Sequence, residues 1–313
     1  MNNKPKTIFW GTSEFAVPAL KKLCAIGYKP LAIYTAPDKP VGRKQVLTHP
    51  PVKIAAQTLG APVLQPATLK SDEQFEQFQQ LEPDLCITVA YGKIIPEKWL
   101  AVPRFGFLNI HPSLLPRHRG PTPIQTAILN GDKETGVTIM KLDKEVDRGP
   151  LLANSKFQIP NSKQYQEIER ELSMLGTELL VKTLPKYLAG EIKPQEQDHS
   201  QATFTKKFTR EDGKIDWKRP AEKIHNQIRA LNPEPGTWTK WNSQLLSILE
   251  SELTENIKDS EPVGKIRNIN NKIAAKTGRG YLEIKKVQLE GKKPMEIGNF
   301  IRGQKDFMDS TLF

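Results

Sequence analysis

The apolar positions change period along the chain, and the changes divide it into elements. Lys6 to Trp10 is a short apolar run of strand length, Gly11-Thr12-Ser13 a turn, and Phe15, Ala19, Leu23 and Ile26 recur at helical spacing. Gly27 ends that helix, and the strand Leu31 to Tyr34 follows, completing a βαβ unit that implies a parallel sheet. Val52 to Leu59 predicts a helix stopped by Gly60. Ser71 to Leu81 predicts another, capped by Ser71 and anchored by Phe75 and Phe78. Leu85 to Val89 and Leu108 to His111 have strand length, Thr122 to Asn130 is a helix with Gly131 as its stop, and Gly136 to Leu142 is a further apolar strand. A long amphipathic helix, Lys163 to Ala189, is expected behind a Ser162 cap, with Ile168, Leu172, Leu175, Leu179, Leu180 and Leu184 on its packing face and Pro185 as a kink.

After Ala189 the character changes. Gly190 to Gln201 is polar and reads as a linker. Pro220 to Leu231 predicts a helix, and short alternating runs then succeed one another: Thr237 to Trp241, Leu245 to Leu249, Lys265 to Ile269, Lys272 to Lys276 and Tyr281 to Leu289. The expected architecture is α/β: a Rossmann-like, mainly parallel sheet with flanking helices over 1–189, a linker over 190–201, and a smaller basic β-barrel of the open, oligonucleotide-binding kind over 202–313. The first strand–helix turn has one glycine where a dinucleotide fingerprint needs three, which excludes NAD.

Ala36 to Pro51 holds Pro37, Pro40, Gly42, Pro50 and Pro51 and is expected to be an irregular loop, long enough to have a function. It carries Lys39, Arg43 and Lys44 against Asp38 alone. The chemistry centres on the stretch from Phe107 to Asp147. Asn109 and His111 lie two residues apart and so point to one face of a strand that stops at Pro112. Asp147 follows 36 positions later, beyond a second strand. In an open α/β sheet the carboxyl ends of strands are where ligands bind. An amide there stabilises an oxyanion, an imidazole changes charge near working pH, and a carboxylate favours the imidazolium or takes a proton from a nucleophile. The same three residues are equally the constituents of a capped turn, a hydrogen-bonded surface histidine and an Asp-Arg-Gly turn. The Tyr91-Gly92 turn presents backbone groups that can pair with a flat heterocycle, and Arg117, His118 and Arg119 form a basic cluster that would contact phosphate or hold the loop by salt bridges.

Composition adds a partner class. The chain has 46 Lys and Arg against 35 Asp and Glu, a net charge of +11 and a pI near 9.4, which fits a polyanionic partner or a merely solvated basic surface. Lys206 to Phe313 holds 21 basic and 15 acidic residues, so the second domain is about twice as basic per residue as the rest. Within Gly264 to Lys293 nine Lys or Arg accompany only Glu283 and Glu290, a density expected for phosphate-backbone contact, with Lys265, Arg267, Lys272, Lys285 and Lys286 as candidates. Cys24 and Cys86 read as core residues, and no His or Cys spacing predicts a metal site. No apolar run reaches membrane-spanning length, so a soluble, cytoplasmic protein is expected; a monomer is expected as well.

The segments NIHPSLLPRHRGPTPIQ, GVTIM and VDRGPLL, at their spacing, resemble the 10-formyltetrahydrofolate-dependent formyltransferases. The resemblance extends through FWGTSEFAVPAL, APDKPVGR, PPVKIAA, VAYGKIIP, KIDW and IRALNPEPGTW, and so covers nearly the whole chain. It implies that Asn109, His111 and Asp147 are a catalytic triad, that Ser113, Leu114, Leu115 and Pro116 form the folate-binding loop, and that Ala90, Tyr91 and Gly92 lie against the pterin. In tRNA-acting members the loop matching Ala36 to Pro51 inserts against the acceptor end, with Arg43 at the position of its key arginine and Lys39 and Lys44 beside it; Gln45, Val46 and His49 depart from the better-known pattern. The implied reaction is formyl transfer from 10-formyltetrahydrofolate to the α-amino group of methionine on initiator tRNA. Another formyl-folate enzyme, acting on a sugar nucleotide or purine precursor or hydrolysing the folate, and a noncatalytic RNA-binding relative are the alternatives.

Overall fold

The structure, a computed structural model, describes residues 4–42, 45–254 and 260–313. They fall into two compact units: Met1–Pro123 with Glu134–Gln158 and Glu169–Thr205, and Ile124–Lys133 with Ile159–Ile168 and Lys206–Phe313. The second unit therefore takes in two short segments that sequence order places in the first domain.

The first unit is built on a seven-stranded sheet. Its strands are β1 (Thr7–Gly11), β2 (Ala32–Tyr34), β5 (Val63–Leu64), β6 (Leu85–Val89), β7 (Phe107–His111), β8 (Glu134–Lys141) and β9 (Leu151–Gln158), in the order β5-β2-β1-β6-β7-β8-β9. Pairing is parallel from β5 to β7, and β8 and β9 add antiparallel. Strands β1 and β6 are buried along their whole length, which is why they are continuous apolar runs rather than alternating ones. Helices α1 (Val17–Ala25), α2 (Pro51–Thr58), α3 (Asp72–Gln80) and α4 (Glu97–Leu100) occur between the strands. Trp10 stacks on Tyr34 at 4.0 Å, and Phe78 on Trp99 at 4.8 Å, within a fully buried aromatic cluster that also holds Phe107. Helix α6 (Tyr165–Leu188) approaches β7 through Gly176, where a Cβ would stand 2.6 Å from the Ile110 side chain.

Several elements depart from the sequence pattern. Ala36 to Pro51 is not wholly irregular: β3 (Lys39–Val41) and β4 (Val46–Thr48) form an antiparallel hairpin, with Pro40 opposite Leu47. A two-stranded ribbon has a free outer side, so the missing proline N–H breaks no ladder bond there. Strand β9 escapes the pattern because an edge strand carrying Asn154, Ser155, Lys156 and Gln158 lacks an apolar period. Helix α6 begins at Tyr165 rather than Lys163. Gln164, not Ser162, sits at its start, its carbonyl accepting from Ile168 N and its N–H donating to the Glu167 carboxylate. The helix runs on through Pro185. Gly190 to Gln201 is tied down rather than free, since Gln195 exchanges backbone hydrogen bonds with Leu151 at 2.7 and 2.9 Å and Gln197 is buried.

The second unit is an antiparallel sheet with helices. Its strands are β10 (Trp238–Trp241), β11 (Gln244–Leu253), β12 (Ile266–Ile269), β13 (Lys272–Lys276), β14 (Tyr281–Leu289) and β15 (Met295–Glu296), ordered β10-β11-β14-β13-β12 with β15 pairing β14. Its core gathers Ile224 and Ile228 of α7 (Ala221–Leu231) with Trp241, Ile248, Leu282, Ile284 and Phe307. The chain end joins the two outer strands. Ile266 N donates to Ser310 O and Leu312 N to Gly264 O, both at 2.9 Å, while Phe313 exchanges backbone bonds with Lys240 at 2.8 and 3.0 Å. That bridge removes both open edges and makes the sheet a barrel. Helices α5 (Pro123–Asn130) and α8 (Ile297–Gly303) complete the description.

Candidate active site

Strand β7 ends where the chain must leave the sheet, at Pro112, and its last three residues decide the site. Burial along the strand leaves Asn109 half-buried between fully buried neighbours, while His111 is 4% exposed. Asn109 lies opposite Met140 and His111 opposite Thr138 of β8. The imidazole of His111 is held from both sides. Its Nε2 lies 3.0 Å from the His118 carbonyl oxygen and its Nδ1 3.5 Å from Oδ1 of Asp147. The other carboxylate oxygen of Asp147 accepts from Gly120 N at 2.8 Å. The structure thus brings His111 and Asp147 together from 36 positions apart, beside Asn109, whose side chain has no hydrogen bond among the described residues.

Asp147 adopts φ +51°, in the left-handed region that aspartate tolerates better than most residues. Its main support comes from Gln197, a residue the sequence pattern did not single out. The buried amide of Gln197 donates to the carbonyls of Asp147 at 2.9 Å and Gly149 at 2.7 Å. Its oxygen accepts from the guanidinium of Arg119 at 3.2 and 2.6 Å. Gly149 is required, since a Cβ would meet the Lys141 carbonyl oxygen at 2.0 Å. Arg119 is 3% exposed and also touches His199 Nδ1 at 2.9 Å, so of the two readings of the basic cluster it serves the one that holds the loop, through Gln197 and His199 rather than a carboxylate. The Gly-after-Asp-Arg pattern was the available signal for Gly149; Gln197 had none, because its role depends on a contact 50 residues away.

The loop after β7 is shaped from beneath. Thr138 Oγ1 donates to Ser113 O at 2.7 Å and accepts from Leu115 N at 3.2 Å, Ser113 Oγ donates to Arg117 O at 2.6 Å, and the Leu115–Pro116 peptide is cis. Ser113 and Leu115 are buried, so of the four expected folate-loop residues Leu114 and Pro116 are the ones with open surface. Leu114 lies over Gly136, where a Cβ would stand 2.5 Å from its Cδ2. At the end of the neighbouring β6, Tyr91 turns its ring into the core, 5.1 Å from Trp10, and its carbonyl accepts from Thr12 Oγ1 at 2.8 Å. Tyr91 therefore does not present its ring to a ligand, whereas Ala90 (φ +46°) and Gly92 (φ +84°) are exposed, and space beside Gly92 is open.

The cationic candidates divide. Lys39 is exposed on the hairpin; Arg43 and Lys44 lie outside the described residues. In the barrel, carboxylates both near and distant in sequence meet the expected phosphate-binding residues. Lys272 pairs with Glu283 at 3.3 Å, Lys285 with Glu283 at 3.0 Å and Glu252 at 3.6 Å, and Lys286 with Glu250 at 3.2 Å. Arg267 pairs with Glu261 and Asp309, and Lys265 bonds the Asp309 carbonyl. These cations are more nearly neutralised than their local sequence implies. Among the described residues no helix is long and apolar enough to cross a membrane, and no group of His, Cys, Asp and Glu is placed to hold a metal.

Two family models match the chain: Formyl transferase over residues 7–184 and Formyl transferase, C-terminal domain over residues 207–305. A methionyl-tRNA formyltransferase of Chloroflexus aggregans is 43% identical over 299 residues, covering 95% of this chain and 97% of its own. One from Bacillus velezensis is 40% identical over 300 residues, covering 96% and 95%. Among solved structures, an N-formyltransferase from Helicobacter canadensis in complex with folinic acid and dTDP-3-aminofucose shares the fold with a TM-score of 0.68 at 19% identity, covering 90% of this chain and 98% of that one.

Proposed function

The chain belongs to the formyl transferase family, and on that premise we propose that it moves the formyl group of 10-formyltetrahydrofolate to the α-amino group of methionine esterified to initiator tRNA, for translation initiation in the cytoplasm. The observation that carries the reading is the buried His111 at the carboxyl end of β7 paired with the half-buried Asp147, next to an Asn109 amide with both donors free of partners among the described residues. An α-amino group with a pKa of about 8 is partly neutral near pH 7 and can attack the formyl carbon. One N–C bond forms, the bond from that carbon to the folate N10 breaks, the amine loses a proton and N10 gains one.

Asn109 and protonated His111 supply hydrogen bonds to the formyl oxygen as it gains negative charge. Asp147 holds the imidazolium and receives the proton of the amine, directly or through a water it orients. Its second oxygen is already occupied by Gly120 N, which orients the carboxylate before substrate arrives. The open face at Ala90 and Gly92, together with Leu114 and Pro116, suits a flat, partly apolar heterocycle. Lys39, with Arg43 and Lys44, is assigned to the acceptor end of the tRNA, while Lys265, Arg267, Lys272, Lys285 and Lys286 would meet phosphate by exchanging their present partners. A single chain carries the complete set of these residues, so a monomer suffices.

Incubating the protein with methionyl initiator tRNA, methionyl elongator tRNA and 10-formyltetrahydrofolate tests the reading. Formylmethionine on the initiator is expected; its absence with both acceptors overturns the proposal.

A further inference from the structure

Phe204 is a large aromatic residue with 73% of its surface exposed, which is unusual for a side chain whose backbone is so firmly fixed. It pairs in parallel with Arg119. Arg119 N donates to Thr203 O and Thr205 N to Arg119 O, both at 2.8 Å. The flanking threonines add two more bonds: Thr203 Oγ1 accepts from His118 N at 2.8 Å and Thr205 Oγ1 from Thr122 N at 3.1 Å. Gly120 has no room for a side chain beside this segment, since a Cβ would meet Thr205 Oγ1 at 2.8 Å.

The residue that Phe204 pairs with is flanked by the two backbone groups that hold the reactive side chains. The His118 carbonyl faces His111, and Gly120 N binds Asp147. An exposed ring on a hydrogen-bonded backbone is thus fastened to the loop that holds His111 and Asp147, and nothing in its own chain uses its π-face among the described residues. Lys206, which pairs with Asp212, and the exposed Lys207 follow it in sequence. An aromatic platform accompanied by cations is how single-stranded nucleotides are gripped, because every base has a π-face and every linkage a charge. A burial role would have put the ring in the core, and a solubility role would not have selected phenylalanine.

We infer that Phe204 is the stacking platform for an unpaired base at the acceptor end of the charged tRNA, holding the aminoacyl ester over His111 and Asp147. The inference rests on the functional reading above and deepens it. The platform acts in binding and positioning and touches no reacting atom.

The test uses the full chain with Phe204→Ala, Phe204→Leu and Phe204→Trp. Alanine and leucine, which lack a π-face, are each expected to lower kcat/KM for methionyl-tRNA by about five- to a hundredfold, chiefly through KM, while the KM for 10-formyltetrahydrofolate stays unchanged. Tryptophan restores kcat/KM to within about threefold of the parent, and its added fluorescence is quenched by a single-stranded oligonucleotide ending in CCA. Equal kcat/KM in parent and leucine variant, with Tm unchanged, overturns the platform. A shift confined to the folate KM overturns it also, since the ring would then face the co-substrate. If the parent itself transfers no formyl group, the functional reading fails instead; the quenching then still reads base stacking on its own, and no quenching overturns it.

Discussion

Replacing Gln197 with leucine isolates the support of Asp147 from the reaction itself. The change keeps the volume but removes two amide bonds, to the carbonyls of Asp147 and Gly149, and the acceptor for two N–H groups of the buried Arg119. Each neutral bond contributes about 1 kcal/mol and the charge-assisted pair about 1.5–3, so the variant should lose roughly 3–5 kcal/mol, a large part of a typical domain's stability. For a domain of this size that corresponds to a Tm lower by roughly 10 °C. The catalytic effect is separate. Asp147 sits at φ +51°, and its carbonyl is anchored by Gln197, so releasing the anchor lets the carboxylate drift. A displacement of about 1 Å costs on the order of a hundredfold in rate. The assay is single-turnover formyl transfer to methionyl-tRNA at saturating substrates, well below the variant's Tm, with unfolding followed separately by circular dichroism. Gln197→Glu sharpens the result, because it still accepts from Arg119 but sets a carboxylate against two carbonyls; its rate should fall as far as leucine's. A leucine variant within about twofold of the parental rate would refute the claim that Asp147 depends on this anchor.

Other expectations follow from the same geometry. His111→Ala and Asp147→Ala should each abolish transfer while tRNA affinity, read by filter binding, stays within about threefold; product at more than a few per cent of the parental rate would mean the site is elsewhere. Asp38 accepts from Gln65, Lys53 and His49 at 2.7–2.8 Å, and these bonds hold its carboxyl down to about 2. A depressed carboxylate stabilises above its unfolded value near 3.9 and loses that contribution as pH falls towards 2, so Asp38 itself should stay ionised from neutrality to about 4. Carbon-13 titration of the Asp38 carboxyl with a midpoint near 4 would contradict this. Gly136→Ala should destabilise the chain by at least about 2 kcal/mol in urea, since the new Cβ meets the Ser155 carbonyl oxygen at 2.3 Å and Leu114 at 2.5 Å; an unchanged midpoint would show the loop can yield.

Much of the architecture was legible because it depends on local period. The buried strands β1 and β6 declare themselves as apolar runs, and Asn109 and His111 share a face by the period of a strand alone. The family was legible for a different reason, a set of motifs spread over nearly the whole chain. What local period cannot carry is any feature made by partners far apart. The hairpin within Ala36 to Pro51 exists because Lys39 to Val41 finds Val46 to Thr48, despite Pro40. That the Tyr91 ring belongs to the core, packed against Trp10, is likewise a contact between distant segments.

Charge shows the division most clearly. Read along the chain, Lys272, Lys285 and Lys286 stand in a basic stretch with little to offset them; read in space, Glu250, Glu252 and Glu283 are within 3.0–3.6 Å of them. Coulomb energy depends on distance through space, which sequence order does not record. The sequence determined by itself which strands are buried, which residue types reach the sheet's carboxyl end and which family's motifs the chain carries. Tertiary structure alone decided how Asp147 is held beside His111, by Gln197 and Arg119, and that Phe204 stays in the open, because each of these is a contact between segments that only folding brings within hydrogen-bonding range or leaves without a neighbour.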